Sequence, residues 1–194
     1  MKFTQGPIRD LWIIELDPVA DHRGFFARAW CEDEFAEHGL TADWPQQNIQ
    51  RSPSPGTMRG LHYQVPPHSE IKLVRCTSGA VFDVAVDLRP DSPTYRHWSG
   101  TELRAENHTS VWVPKGCAHG YVTLEPDSEV FYLTSSRYVP SAVRGVRYDD
   151  AAFEIAWPRP IELVPADYDT WPDFSDVAAS EMSALALATE GEAI

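Results

Sequence analysis

Residues 113–121 read VPKGCAHGY. Pro114 cannot continue a paired strand and Gly116 admits a sharp turn, so the chain reverses between two β-rich runs, TSVWVP (109–114) and HGYVTLE (119–125). His119 opens the second run. Outward from this stretch the same pattern repeats: LWIIEL (11–16), IKLVRC (71–76), AVFDVAVDLR (80–89) and EVFYLTSSRYV (129–139) are short, rich in Val, Ile, Tyr and Phe, and divided by Pro and Gly. Many short strands between turn residues predict an all-β sandwich or barrel.

TSG (77–79) reads as a tight turn leading into AVFDVAVDLR. There Ala80, Phe82, Val84, Val86 and Leu88 share one face, and Val81, Asp83, Ala85 and Asp87 share the other. PVADHRGFFARAW (18–30) reads as a turn and strand. CEDEFAEHGL (31–40), acidic in its first turn and with Gly39 near its stop, predicts a helix. From about residue 150 the text becomes Pro-rich. WPRPIELVPADYDTWPDF (157–174) predicts a segment wrapped over the sheet, and residues 176–194 read as a terminal helix or frayed tail after one domain at 1–175.

The 194 residues suit one domain of ordinary size, and 43% hydrophobic residues with seven Trp imply an ordered core. A net charge of -13 makes nucleic acid and anionic membrane poor partners for the surface as a whole, so an anionic ligand needs locally placed Arg or Lys. Cys31, Cys76 and Cys117 lack CxxC spacing and set up neither a disulfide framework nor a zinc knuckle. MKFTQGPIRDLW carries no apolar signal-peptide core, and no window approaches 18 apolar residues. The expectation is a soluble cytoplasmic protein.

Pro114-x-Gly116-x-x-His119 is similar to the second motif of the cupins, whose first motif runs His-x-His, then Glu, then six residues, then Gly. HYQVPPHSEIKLVRCTSG (62–79) stands upstream. His62 fills the first position, Gln64 replaces the second histidine, and Lys72, separated from Gly79 by six residues, replaces the glutamate. A divalent metal needs neutral imidazoles and a carboxylate, whereas this set offers an ammonium. The expectation is therefore no metal and no cofactor, with Lys72 suited to stabilising an oxyanion or enolate. On a regular strand Tyr132 points its phenol into the cavity, with Tyr138 six residues on along the same face. An imidazole base, a lysine and a phenol are the groups needed to move a proton next to a carbonyl, as in racemisation, epimerisation or isomerisation of a keto compound.

DHRGFF (21–26), QQNIQRS (46–52), RGLHYQ (59–64), KLVRCTSGAVFDVAVDLRPDSPTY (72–95), VPKGCAHGYV (113–122), FYLTSSRYVP (131–140) and DDAAFEIAWP (149–158) together resemble the dTDP-4-dehydrorhamnose 3,5-epimerase family. The resemblance implies a cupin-type jelly-roll barrel with a few short helices, and a homodimer in which an N-terminal segment crosses to the partner. It implies a dTDP-4-keto-6-deoxyhexose as substrate. His62 would abstract the proton alpha to the C4 ketone, Lys72 would polarise the ketone, and Tyr132 would return a proton on the opposite face. Asp167, with Asp169 competing, would orient the histidine, and Asp83 is a second candidate for its surroundings. Arg23 and Arg59 would meet the diphosphate, and Phe25, Gln46, Asn48, His119 and Tyr138 would line the site. This chain departs from the family at Arg28 and Val143, where a Glu is usual, and at Glu70-Ile71, where a small or amide pair is usual. Other readings are a 3,4-ketoisomerase of the same substrates, a non-catalytic sugar-nucleotide-binding cupin, and a metal-dependent cupin dioxygenase.

Overall fold

Strand-forming text separated by Pro and Gly folds here into thirteen strands, one short α-helix and two single-turn 3-10 helices (Pro140–Ala142 and Tyr168–Thr170) among the described residues, which in this computed structural model are 1–166 and 168–174, without the side chain of Asp169. Asp167 and the segment 176–194 lie outside that description. In chain order the elements are β1 (Lys2–Gln5), β2 (Trp12–Glu15), β3 (Val19–Asp21), β4 (Gly24–Phe26), α1 (Glu32–Ala36), β5 (Gln46–Ser52), β6 (Met58–Gln64) and β7 (Lys72–Ser78). There follow β8 (Ala80–Asp87), β9 (Trp98–Arg104), β10 (Thr109–Val113), β11 (Cys117–Thr123), β12 (Ser128–Thr134) and β13 (Val143–Gly145).

Eleven strands form two antiparallel sheets, one ordered β1-β2-β10-β7-β12-β5 and the other β13-β6-β11-β8-β9, while β3 and β4 form a separate hairpin. The sheets face each other as a jelly-roll sandwich. Val74, Cys76, Val111, Val113 and Val130 from the first meet Val81, Ala85, Leu103, Cys117 and Tyr121 from the second. Each sheet also has a covered outer face. Phe35 of α1, with Leu40, packs on Ile14, Leu73 and Trp112. Val146, Phe153, Tyr168 and Phe174 of the C-terminal segment pack on Leu61, Tyr63, Val84, Val86 and Val122, as the Pro-rich text predicts.

Those outer layers explain why β8 is buried on nearly every residue: its apolar face lies under the C-terminal wrap, and the face bearing Asp83 and Asp87 points between the sheets. Several expectations are corrected. The helix expected over 31–40 is helical only over Glu32–Ala36, because the chain turns down to Gly39, whose φ is +73°. The tight turn at 77–79 is present, with Gly79 at φ +66°, and it carries the chain from β7 in one sheet to β8 in the other. The run 129–139 stops being a strand at Thr134, so Tyr138 is not on the regular face of β12. No helix of the described residues is long and apolar enough to cross a membrane.

Candidate active site

β6 and β11 are neighbours whose register sets two residues against one. His119 faces His62 and Tyr121 faces Arg59, so Gly60 and Leu61 together oppose Gly120. Only glycine fits at this bulge. Gly60 has φ +96°, and a Cβ on it would run into the backbone of His119 and Gly120. The phase change turns Arg59 and His62, three residues apart, toward one cavity while Met58, Leu61 and Tyr63 pack outward.

The cavity measures about 420 Å³ between the two sheets. His62, Arg59, His119 and Tyr121 enter it from the five-stranded sheet, and Gln46, Asn48, Lys72, Tyr132 and Thr134 from the six-stranded sheet. Register aligns the latter in rows: Thr134 lies between Gln46 and Lys72, and Tyr132 between Asn48 and Val74. Lys72 and Tyr132 are therefore diagonal neighbours on one wall.

Lys72 is buried and donates to the His62 carbonyl oxygen at 3.3 Å, and its Nζ lies 3.2 Å from Glu70 Oε1. Burial raises the Tyr132 phenol above the usual tyrosine range; the negative charge of Glu70 adds to this and Arg59 opposes it. Burial likewise raises Tyr121, whose hydroxyl donates to Gln50 Oε1 at 2.7 Å. The ring of His62 lies tilted against those of Trp171, at 5.8 Å, and Tyr168, at 6.1 Å, so the C-terminal segment forms its backing. His119 donates through Nε2 to Asp83 Oδ2 at 2.8 Å, and both groups are buried. Asp83 thus serves His119 and does not itself line the cavity. The Asn48 Nδ2 atom is buried with no acceptor among the described residues, although its Oδ1 accepts from Gln46.

Of the residues singled out in the sequence, the structure brings His62, Lys72, Tyr132, Gln46, Asn48, Arg59, His119 and Tyr138 to the cavity. Tyr138 arrives from the loop after β12, largely exposed, with its backbone N–H donating to Gln46 Oε1. Arg23 and Phe25 do not reach the cavity of their own chain. They sit on the β3–β4 hairpin, where Arg23 pairs with Asp21 and Phe25 is exposed beside His108. Gln64 also lines the cavity, as a buried hub that donates to His68 O, Glu70 Oε2 and Arg137 O and accepts from the Val139 N–H. Lining residues that sequence reasoning missed include Gln50, Tyr121 and Trp171. Period-two continuation from Asn48 and His119 pointed to the first two, and nothing local pointed to the third. Among the described residues no three His, Cys, Asp or Glu side chains gather as a metal-binding group.

The family model described as dTDP-4-dehydrorhamnose 3,5-epimerase matches residues 5–176. A dTDP-4-dehydrorhamnose 3,5-epimerase of Sinorhizobium fredii is 39% identical over 170 residues, spanning 88% of this chain and 87% of the relative. The solved dTDP-6-deoxy-D-glucose-3,5-epimerase of Legionella pneumophila, in complex with dTDP-4-keto-L-rhamnose, superposes with a TM-score of 0.85 at 35% identity, covering 92% of this chain and 95% of that one. A 3'-monoepimerase from Streptomyces bikiniensis, in complex with dTDP-quinovose, superposes with a TM-score of 0.82 at 30% identity, covering 91% and 89%.

Proposed function

This chain belongs to the dTDP-4-dehydrorhamnose 3,5-epimerase family, and on that footing we propose that it is a nucleotide-sugar epimerase inverting C3, C5 or both in a dTDP-4-keto-6-deoxyhexose. One observation carries the reading: His62 stands on one sheet, and Lys72 and Tyr132 stand on the facing sheet of the same cavity. Inversion needs a base on one face of the sugar and an acid on the other, with a cation beside the oxygen that takes up charge between the two steps.

His62 removes the proton alpha to the C4 ketone. Lys72, with two protein acceptors described and three N–H groups, offers one to the ketone oxygen and holds the enolate. Tyr132 donates from the opposite side, in keeping with a phenol kept protonated by its burial. Asp167 or Asp169 orients His62, and His119, locked by Asp83, contributes a fixed imidazole to the wall. Arg59 meets the diphosphate, and Asn48, with its unsatisfied donor, suits an oxygen of the bound nucleotide sugar. No metal or cofactor has a step in this scheme.

The proposal includes a homodimer. The hairpin bearing Arg23 exposes Val19, Phe25 and Phe26, and the sheet-edge strand β5 exposes Ile49, an amount of open apolar surface that suits a second copy of the chain. Arg23 and Phe25 then reach the partner's cavity and not their own. Incubation with dTDP-4-keto-6-deoxyglucose in deuterated water, followed by NMR at C3 and C5, tests the reaction. Deuterium at both carbons identifies a double epimerase, at one alone a monoepimerase, and at neither ends the proposal for that substrate.

A further inference from the structure

Glu70, on the approach to β7, puts a carboxylate in the wall of a cavity whose proposed chemistry forms an anion. Its side chain is 12% exposed. Oε2 accepts from Gln64 Nε2 at 3.0 Å, and Oε1 lies 3.2 Å from Lys72 Nζ. Gln64 cannot drift, because its amide also donates to His68 O at 3.1 Å and Arg137 O at 3.2 Å while its oxygen takes the Val139 N–H at 2.7 Å. Two loops therefore pin Gln64, Gln64 pins Glu70, and the carboxylate is fixed in place. A fixed negative charge in a partly desolvated wall opposes the ionisation of any acid nearby.

The acid that shares this wall is Tyr132, the diagonal neighbour of the Lys72 that Glu70 contacts. The titratable and charged groups around its cavity are Tyr138 beyond β12, Lys72 and Cys76 on β7, Arg59 and His62 on β6, and Tyr121 and His119 on β11, with Asp83 behind His119. Burial and Glu70 disfavour the phenolate, and Arg59 favours it. We propose that Glu70 is a positioning residue for proton return: its carboxylate, fixed between Gln64 and Lys72, keeps the Tyr132 hydroxyl in its proton-donating form as pH rises. The assignment rests on the epimerase reading for the role of Tyr132.

The test pairs Glu70→Gln, which removes the charge in the same shape, with Glu70→Asp, which keeps it. Phenolate absorbance is titrated for each, and the same titration in a Tyr132→Phe background is subtracted to isolate Tyr132. In E70Q the Tyr132 phenolate should emerge about one pH unit lower, the scale of one adjacent charge, and the alkaline limb of turnover should move down with it. E70D should stay near the parent. An unchanged titration in E70Q, or an equal shift in E70D, overturns the proposal. A shifted titration in proteins that never incorporate deuterium supports the grip of Glu70 on Tyr132 and removes the epimerase reading.

Discussion

His62 and Tyr132 line one cavity from different sheets, and the division of labour proposed for them makes their variants distinguishable. His62→Ala removes the base, so deuterium incorporation should fall about a hundred- to ten-thousand-fold. Tyr132→Phe leaves the base, so incorporation at the abstracted position should persist while inversion is lost, because the proton then returns to the face it left. NMR of exchange and of product configuration separates the two outcomes; equal exchange in the parent and His62→Ala would remove His62 from the role. Asp87 tests stability at the same scale. Burial opposes its charge, yet hydrogen bonds from Arg89, Ser92 and Thr94 outweigh that and hold the carboxyl below the usual range. A lowered folded value contributes stability that is complete above the ordinary carboxylate pKa and lost as pH falls through the folded value. Asp87→Asn should cost up to about 3–5 kcal/mol near neutrality, because the buried Arg89 keeps only the exposed Asp10 as an ion-pair partner. Urea midpoints of the two proteins should converge as the pH drops below about 4.

At the scale of elements, the bulge in β6 decides whether Arg59 and His62 can share a cavity. Strict alternation would place residues three apart on opposite faces. Gly60→Ala should cost about 1–3 kcal/mol from its positive φ alone, with the overlap on Gly120 and His119 adding to that. Denaturant unfolding should report the loss, and the surviving folded protein should bind dTDP more weakly because Arg59 is displaced. β5 went unseen as a strand in QQNIQRS because its inward residues, Gln46, Asn48 and Gln50, line a polar cavity and leave no apolar alternation to detect. β12 was legible from its aromatic and β-branched run, but its end was not: the strand stops where Thr134 turns its hydroxyl to the Ser136 carbonyl.

The whole molecule is a four-layered arrangement, with α1 and its flanking chain on one sheet and the C-terminal segment on the other. The wrap carries Trp171 to the back of His62, so the outer layer and the site are coupled. The hairpin bearing Arg23 and Phe25 is left outside. If it completes a partner's site, mixing Arg23→Ala with His62→Ala subunits should yield heterodimers with one intact cavity, and activity should rise above that of either variant alone. No gain on subunit exchange, with dimers present by sedimentation, would place the hairpin outside the catalytic site.

The local pattern of the sequence determined the fold class and the strands with apolar alternation, because burial against a facing sheet selects Val, Ile and aromatic residues at period two. The cupin-like motif positions picked out His62 and Lys72, and the resemblance to the family picked out Tyr132, which by composition alone reads as a core aromatic. Tertiary structure alone decided which walls these groups occupy, that Asp83 serves His119, that Gln64 fixes Glu70, and that β7 and β8 part to opposite sheets. Those outcomes depend on a bulge, on register and on contacts between residues far apart in the chain. No local period encodes such contacts, because they form only when the sheets close on one another.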